Sequence, residues 1–122
     1  MGLSVVVLES DPGVAESLAG GLASHFHSVQ LTRSKDELRE RVARIRPEVV
    51  IVDMENSHLS DVQNLRNDFP SLPIVCTHRV PDEDLWVAAL DAGASDVCQT
   101  GDVQNVLSAA LRSMAIAKCA VA

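Results

Sequence analysis

Five short strand-like runs, each followed by a segment with helical spacing, constrain this chain more than any single motif. Leu3 to Leu8, Val49 to Val52 and Ile74 to Thr77 are apolar runs that do not alternate with polar residues. Val29 and Leu31 do alternate, as in a half-exposed strand, and Val97 with Cys98 marks a short fifth one. Strands apolar on both sides need cover on both faces, so the pattern predicts a parallel sheet between layers of helices, joined by right-handed crossovers. The intervening segments carry helix signals of their own. Asp11 precedes Pro12 as cap and first-turn proline, and Val14, Leu18, Leu22 and Phe26 follow at helical spacing. SKDE, Ser34 to Glu37, reads as a capping box for a helix with Leu38, Val42 and Ile45 on one face, stopped by Pro47. SDVQ, Ser60 to Gln63, reads as a second capping box for a short helix through Leu65 and Phe69 to Pro70. Pro81 and the acids after it open a fourth helix closed by Gly93, and Asp102 caps a fifth that runs at least to Met114. No repeat or linker breaks the pattern, so residues 1–122 read as one domain.

Composition excludes several classes. An apolar fraction of 47% in 122 residues supports a core that needs no disulfide or metal. A net charge of −7 argues against a face for phosphate backbones, so no direct nucleic-acid contact is expected. No apolar run approaches the roughly 18 residues of a membrane span, and MGLSVVVLES lacks the basic start and cleavage site of a signal peptide. Cys76, Cys98 and Cys119 are odd in number and widely spaced, which suits reduced, buried thiols better than bridges or a zinc site. A cytoplasmic protein is expected.

In open parallel sheets, function gathers at the carboxyl ends of the strands. Standing there are Glu9, Ser10 and Asp11 after the first strand, and Asp53 and Glu55 after the third. Thr77 and His78 follow the fourth, and Gln99 and Thr100 the fifth. Four carboxylates thus meet along one edge.

Together, the acidic turn in LESDP, the aspartate closing VIVDM, the hydroxyl in IVCTH and the ALDAGASD stretch make the chain resemble, over essentially its whole length, a receiver domain of two-component response regulators. The resemblance implies a flavodoxin-like, doubly wound (βα)5 three-layer sandwich with a five-stranded parallel sheet in the order 2-1-3-4-5. It also implies a signalling module rather than an enzyme. Asp53 would be the phosphoacceptor, taking a phosphoryl group from a histidine kinase, a phosphotransfer protein or a small phosphodonor. Mg²⁺ would be the cofactor, held by Glu9, Asp53 and the backbone carbonyl of Glu55; Asp11 is a weaker candidate, more simply read as a helix cap. Thr77 would contact the phosphoryl group. The chemistry needs these types, because a carboxylate is a weak nucleophile and phosphoryl transfer works by positioning and charge neutralisation. Mg²⁺ prefers hard oxygen ligands and keeps several waters, so few carboxylates suffice.

The chain departs from the family at positions that matter. Aligned on Pro12, the usual acidic pair falls on Glu9 and Ser10, so a hydroxyl stands at a metal-ligand position. Thr100 and Gly101 replace the family's lysine and proline. One ion pair at about 4 Å and an effective dielectric of about 20 is on the order of 4 kcal/mol, and a neutral threonine does not replace it. His78 follows Thr77 where a small residue is usual, and Ser57 stands at the place of a common proline. Ser10 and His78 are therefore candidate gates of the site, with a solvated loop histidine as the plain reading of His78.

Three readings stay open: a phosphoaccepting receiver of reduced efficiency, a pseudo-receiver acting as a phosphorylation-independent dimerisation or interaction module, and a small cofactor-binding flavodoxin-like domain. Against the third, LESDPG puts carboxylates where a phosphate-binding loop wants glycines, D-x-H-x-x-G does not occur, and aromatics are scarce. Output through an effector domain or a homodimer is expected at the face of the fourth helix, fifth strand and fifth helix. Trp86 is the expected anchor there, with Val106, Ala109, Ala110, Ser113 and Ala117 as a smooth surface beside it.

Overall fold

The computed structural model describes residues 2–121, with side chains as far as Ala117; the thiol of Cys119 lies outside the described residues. Five strands alternate with five helices. The strands are β1 (Ser4–Leu8), β2 (Ser28–Thr32), β3 (Val49–Asp53), β4 (Ile74–His78) and β5 (Asp96–Gln99). The helices are α1 (Pro12–Leu22), α2 (Lys35–Ile45), α3 (Leu59–Asp68), α4 (Glu83–Ala92) and α5 (Val103–Val121). All strand pairs are parallel and the order is β2-β1-β3-β4-β5, the expected flavodoxin-like arrangement. The order reverses between β1 and β3, and their carboxyl ends therefore frame a crevice.

Side-chain alternation along each strand splits the core in two. Val5, Val7, Ile51, Val75 and Cys98 pack with Leu18 and Leu22 of α1 and with Val106, Ala110 and Met114 of α5. Val6, Leu8, Val50, Val52, Ile74 and Cys76 pack on the opposite face with Leu38, Val42, Val62, Leu65 and Ala89 of α2, α3 and α4. Each large side chain removed from water stabilises the fold by roughly 1.5–3 kcal/mol, which explains why all five residues of β3 are buried. Its aspartate stands at the end of a strand that is buried throughout. Burial pushes the Cys76 thiol up to about 12 and the Cys98 thiol to about 11, so both stay protonated and unreactive, as expected.

Most helix signals work as read. Asp11 accepts from the Gly13 and Val14 amides, Ser34 from Glu37, and Asp82 from Leu85. Asp102 accepts from the Asn105 amide at the start of α5. Gly93 ends α4 at φ 118°, and an added Cβ would sit 2.7 Å from Cβ of Arg66, whose guanidinium donates twice to the Gly93 carbonyl.

Three expectations need correction. Glu37 accepts from the Arg33 amide rather than from Ser34, so SKDE is not a closed box. The box at Ser60 does not form either, because α3 starts at Leu59 and Asp61 accepts from the His58 amide, moving the cap two residues earlier. Val106, Ala109 and Ala110 are 0% exposed and Ser113 is buried, so they form no surface for a partner. Their small size lets α5 lie close against the sheet, and only Ala117 of that set is partly open.

Candidate functional site

Asp53 ends β3 in register with Thr77 of β4, and Thr77 is in turn paired with Cys98 of β5. Registered residues of parallel strands point to one side, which places Asp53 and Thr77 together on the α1/α5 face at the carboxyl edge. Although it stands at a strand end, Asp53 is only 1% exposed. Its Oδ1 accepts the Glu55 amide at 2.9 Å; its Oδ2 accepts the Asn56 side-chain amide at 3.0 Å and the Ser10 hydroxyl at 3.3 Å. Asn56 Nδ2 also donates to Ser10 Oγ, so the three side chains close a ring in which every proton has an acceptor. A carboxylate accepts only, and this fixes which end of the Asn56 amide faces it. Ser10 and Asn56 are themselves exposed and form the roof that shields Asp53.

Glu9 is buried beside it. One carboxylate oxygen accepts the Asp11 amide at 3.1 Å, and the other, Oε1, has no partner. Burial, and then the charges of Asp53 and Asp11, hold the Glu9 carboxyl above its ordinary range. Asp11 serves as the α1 cap, and its side chain accepts from Gly13 and Val14.

Glu55 and His78 do something that the sequence does not announce. Glu55 Oε1 accepts the Arg79 amide at 2.8 Å and faces His78 Nε2 at 3.6 Å, while His78 Nδ1 accepts the Val80 amide. With Gln99 Nε2 reaching the Arg79 carbonyl, these contacts tie the loops after β3, β4 and β5 together. His78 is thus the anchored, half-buried last residue of β4 rather than a solvated loop residue.

On the β4–β5 side, the hydroxyls of Thr77 and Thr100 are buried without partners, as is that of Ser57. A buried hydroxyl without a partner is costly, and an oxygen-rich group entering the site would supply acceptors.

Mg²⁺ does not fit this arrangement as it stands. Among the described residues no group of three or more His, Cys, Asp or Glu side chains converges to hold a metal ion. Asp53 Oδ2 faces N–H and O–H donors, which occupy the lone pairs a cation would use. Asn56 is the residue that sequence reasoning missed. It lies 46 positions from Ser10, and only its place three residues past a strand-end aspartate could have drawn attention to it.

No family model matches the chain. It is 30% identical over 115 residues to the response regulator MprA of Mycobacterium leprae, covering 92% of this chain and 50% of that protein. The chain spans about half the length of the curated relatives it matches. The BeF3-activated N-terminal receiver domain of Klebsiella pneumoniae RstA superposes with a TM-score of 0.76 at 28% identity, covering 89% of this chain and 95% of that one. The N-terminal signal receiver domain of a response regulator from Bacteroides fragilis gives 0.82 at 27% identity, covering 91% and 95%. With the strand order, the strand-end aspartate and the hydroxyl beside it already in place, these likenesses identify the chain as a receiver-like domain of two-component response regulators.

Proposed function

We propose that this domain is a signalling module whose output is protein contact and whose candidate phosphoacceptor is Asp53, working with low intrinsic efficiency. The observation that carries this reading is the registered pair Asp53 and Thr77, flanked by the partnerless buried hydroxyls of Thr77 and Thr100. A phosphoryl group on Asp53 would bring three oxygens to hydroxyls that have no acceptor. Low efficiency follows from the other half of the site. Oδ2 must shed Ser10 and Asn56 before it can attack, and Thr100 offers no charge to stabilise the transferred group. The phosphodonor would be a histidine kinase or phosphotransfer protein, and the receiving partner an effector domain or a second copy. No turnover of a substrate is proposed, and a cytoplasmic location accords with this role. No helix among the described residues is long and apolar enough to cross a membrane.

A second reading, a pseudo-receiver that makes its contacts regardless of phosphate, is favoured by the neutral donors on both oxygens of Asp53. Intact mass after incubation with acetyl phosphate and Mg²⁺ separates the two. A single phosphoryl adduct, absent in Asp53→Asn, supports the first reading. No adduct supports the second, and an adduct that survives the substitution overturns the role of Asp53.

A further inference from the structure

We propose that the Asn56 amide and the Ser10 hydroxyl form a neutral-donor lock that takes the place of a divalent cation on Asp53 and closes its Oδ2 to metal. The inference deepens the reading above by naming how the same site is regulated. Three observations carry it. First, Oδ2 has both lone pairs engaged, by a side-chain amide and a hydroxyl, while a backbone amide donates to Oδ1. Second, the lock is a closed ring. Ser10 donates to Asp53 and accepts from Asn56, and Asn56 donates to both, so removing either member frees a lone pair of the aspartate. Third, it explains the burial, because Asp53 is 1% exposed while Ser10 and Asn56 above it face solvent.

The chemistry is one of substitution. A cation neutralises several anions at once, whereas neutral donors satisfy only the atoms they touch. That difference is visible next door, where Glu9 Oε1 is buried and unpaired although both oxygens of Asp53 accept donors. The lock therefore serves Asp53 alone and leaves its neighbour to bear the lack of positive charge. Opening it should turn Glu9 and Asp53 into a pair of hard oxygen donors.

The test is a calorimetric titration of MgCl₂ into the 122-residue chain, comparing wild type with Asn56→Ala and with Asn56→Ser, the latter as a smaller change should the alanine variant fold poorly. Thermal melts with and without Mg²⁺ provide a second readout. Loss of the lock should tighten Mg²⁺ on the order of tenfold or more, equivalent to one charge-assisted hydrogen bond released. It should also make the variants, but not wild type, melt higher in Mg²⁺. Wild type binding Mg²⁺ as tightly as the variants overturns the proposal, as does a folded variant with no gain. A variant that gains Mg²⁺ yet takes no phosphoryl group from acetyl phosphate upholds the lock and refutes Asp53 as phosphoacceptor, so the two ideas fail separately.

Discussion

The carboxyl edge of the sheet has two halves built to opposite standards. Around β1 and β3, both oxygens of Asp53 are engaged, by Ser10, Asn56 and the Glu55 amide, while Glu9 Oε1 beside it is left unpaired. Around β4 and β5, Thr77 and Thr100 bury hydroxyls that touch no acceptor. In the first half Asp53 is held without a ligand, while the second is arranged as though an anion were to complete it. The contrast is what the proposed reading predicts: a candidate acceptor held closed beside hydroxyls left without partners. Substitutions that strike one half and not the other can break or sharpen this comparison.

The largest effect is expected at Asp53. In a site where crowded carboxylates repel, Asp→Asn relieves charge and raises stability. Here three donors hold the side chain, with the Glu9 carboxyl as its acidic neighbour, and an amide brings one acceptor oxygen together with an N–H₂ that must face another donor. Asp53→Asn should therefore destabilise the fold by about 1–3 kcal/mol, read as a lower denaturant midpoint at unchanged slope. A gain in stability would mean that the donors on Asp53 are not holding it.

Paired threonines give the next effect, with opposite signs. Thr32 and Thr77 are each 1% exposed at strand ends, but the Thr32 hydroxyl donates to the Val7 carbonyl at 2.9 Å and that of Thr77 has no partner. Thr32→Val should cost about 1 kcal/mol, and Thr77→Val should stabilise by a similar amount. Equal costs in the two variants would show that Thr77 is satisfied, and the supposed demand of the β4–β5 half would disappear.

Glu9 sits at the seam and yields a pH effect. Its carboxyl is held above the ordinary value of 4.5, by burial first and by Asp53 second, so the native state keeps its proton more firmly than the unfolded chain. The stability linked to that proton is fully present below the unfolded value and is lost as pH rises through the raised one. Glu9→Gln should remove this loss, raising stability near neutral pH by somewhat under 1 kcal/mol and flattening the profile in mildly acidic solution. An unchanged slope there would show that Glu9 has a partner in solution.

These contrasts divide along the line between what a sequence can and cannot disclose. Apolar runs, caps at Asp11, Ser34 and Asp82, and the glycine stop at Gly93 are local, and they placed the strands, helices and edge residues well. The α3 cap departs from the sequence pattern because Ser60 with Gln63 has the spacing of a capping box, and so does His58 with Asp61, the pair on which the helix starts. Val106, Ala109, Ala110 and Ser113 were read as surface because they are small, yet their spacing is that of a buried helix face. Asn56 and the outward turn of the Glu55 side chain depend on contacts 46 and 24 residues away, which no local pattern encodes.

The smallest effect on stability, and the sharpest test of coupling, concerns α4. Its pattern is inverted: Ala89 is fully buried, while Trp86, Val87 and Leu90 are 47%, 51% and 40% exposed. A small inward residue lets the helix sit close to the sheet and leaves its large apolar side chains facing water. Trp86 and Leu90 are one turn apart and share a stripe, the arrangement expected of an anchor for a second copy. Because Trp86 is half exposed, Trp86→Ala should change folding stability by no more than about 0.5 kcal/mol. It should weaken self-association in sedimentation velocity, since an aromatic at the centre of a contact carries much of its energy. Asp53→Asn should leave association unaltered, because a carboxylate already closed by neutral donors has no unmet demand to transmit to α4. Association that changes with Asp53→Asn would show that the two regions are coupled despite the lock. Monomers in all three proteins at high concentration, with no partner binding through α4, would remove the contact face itself.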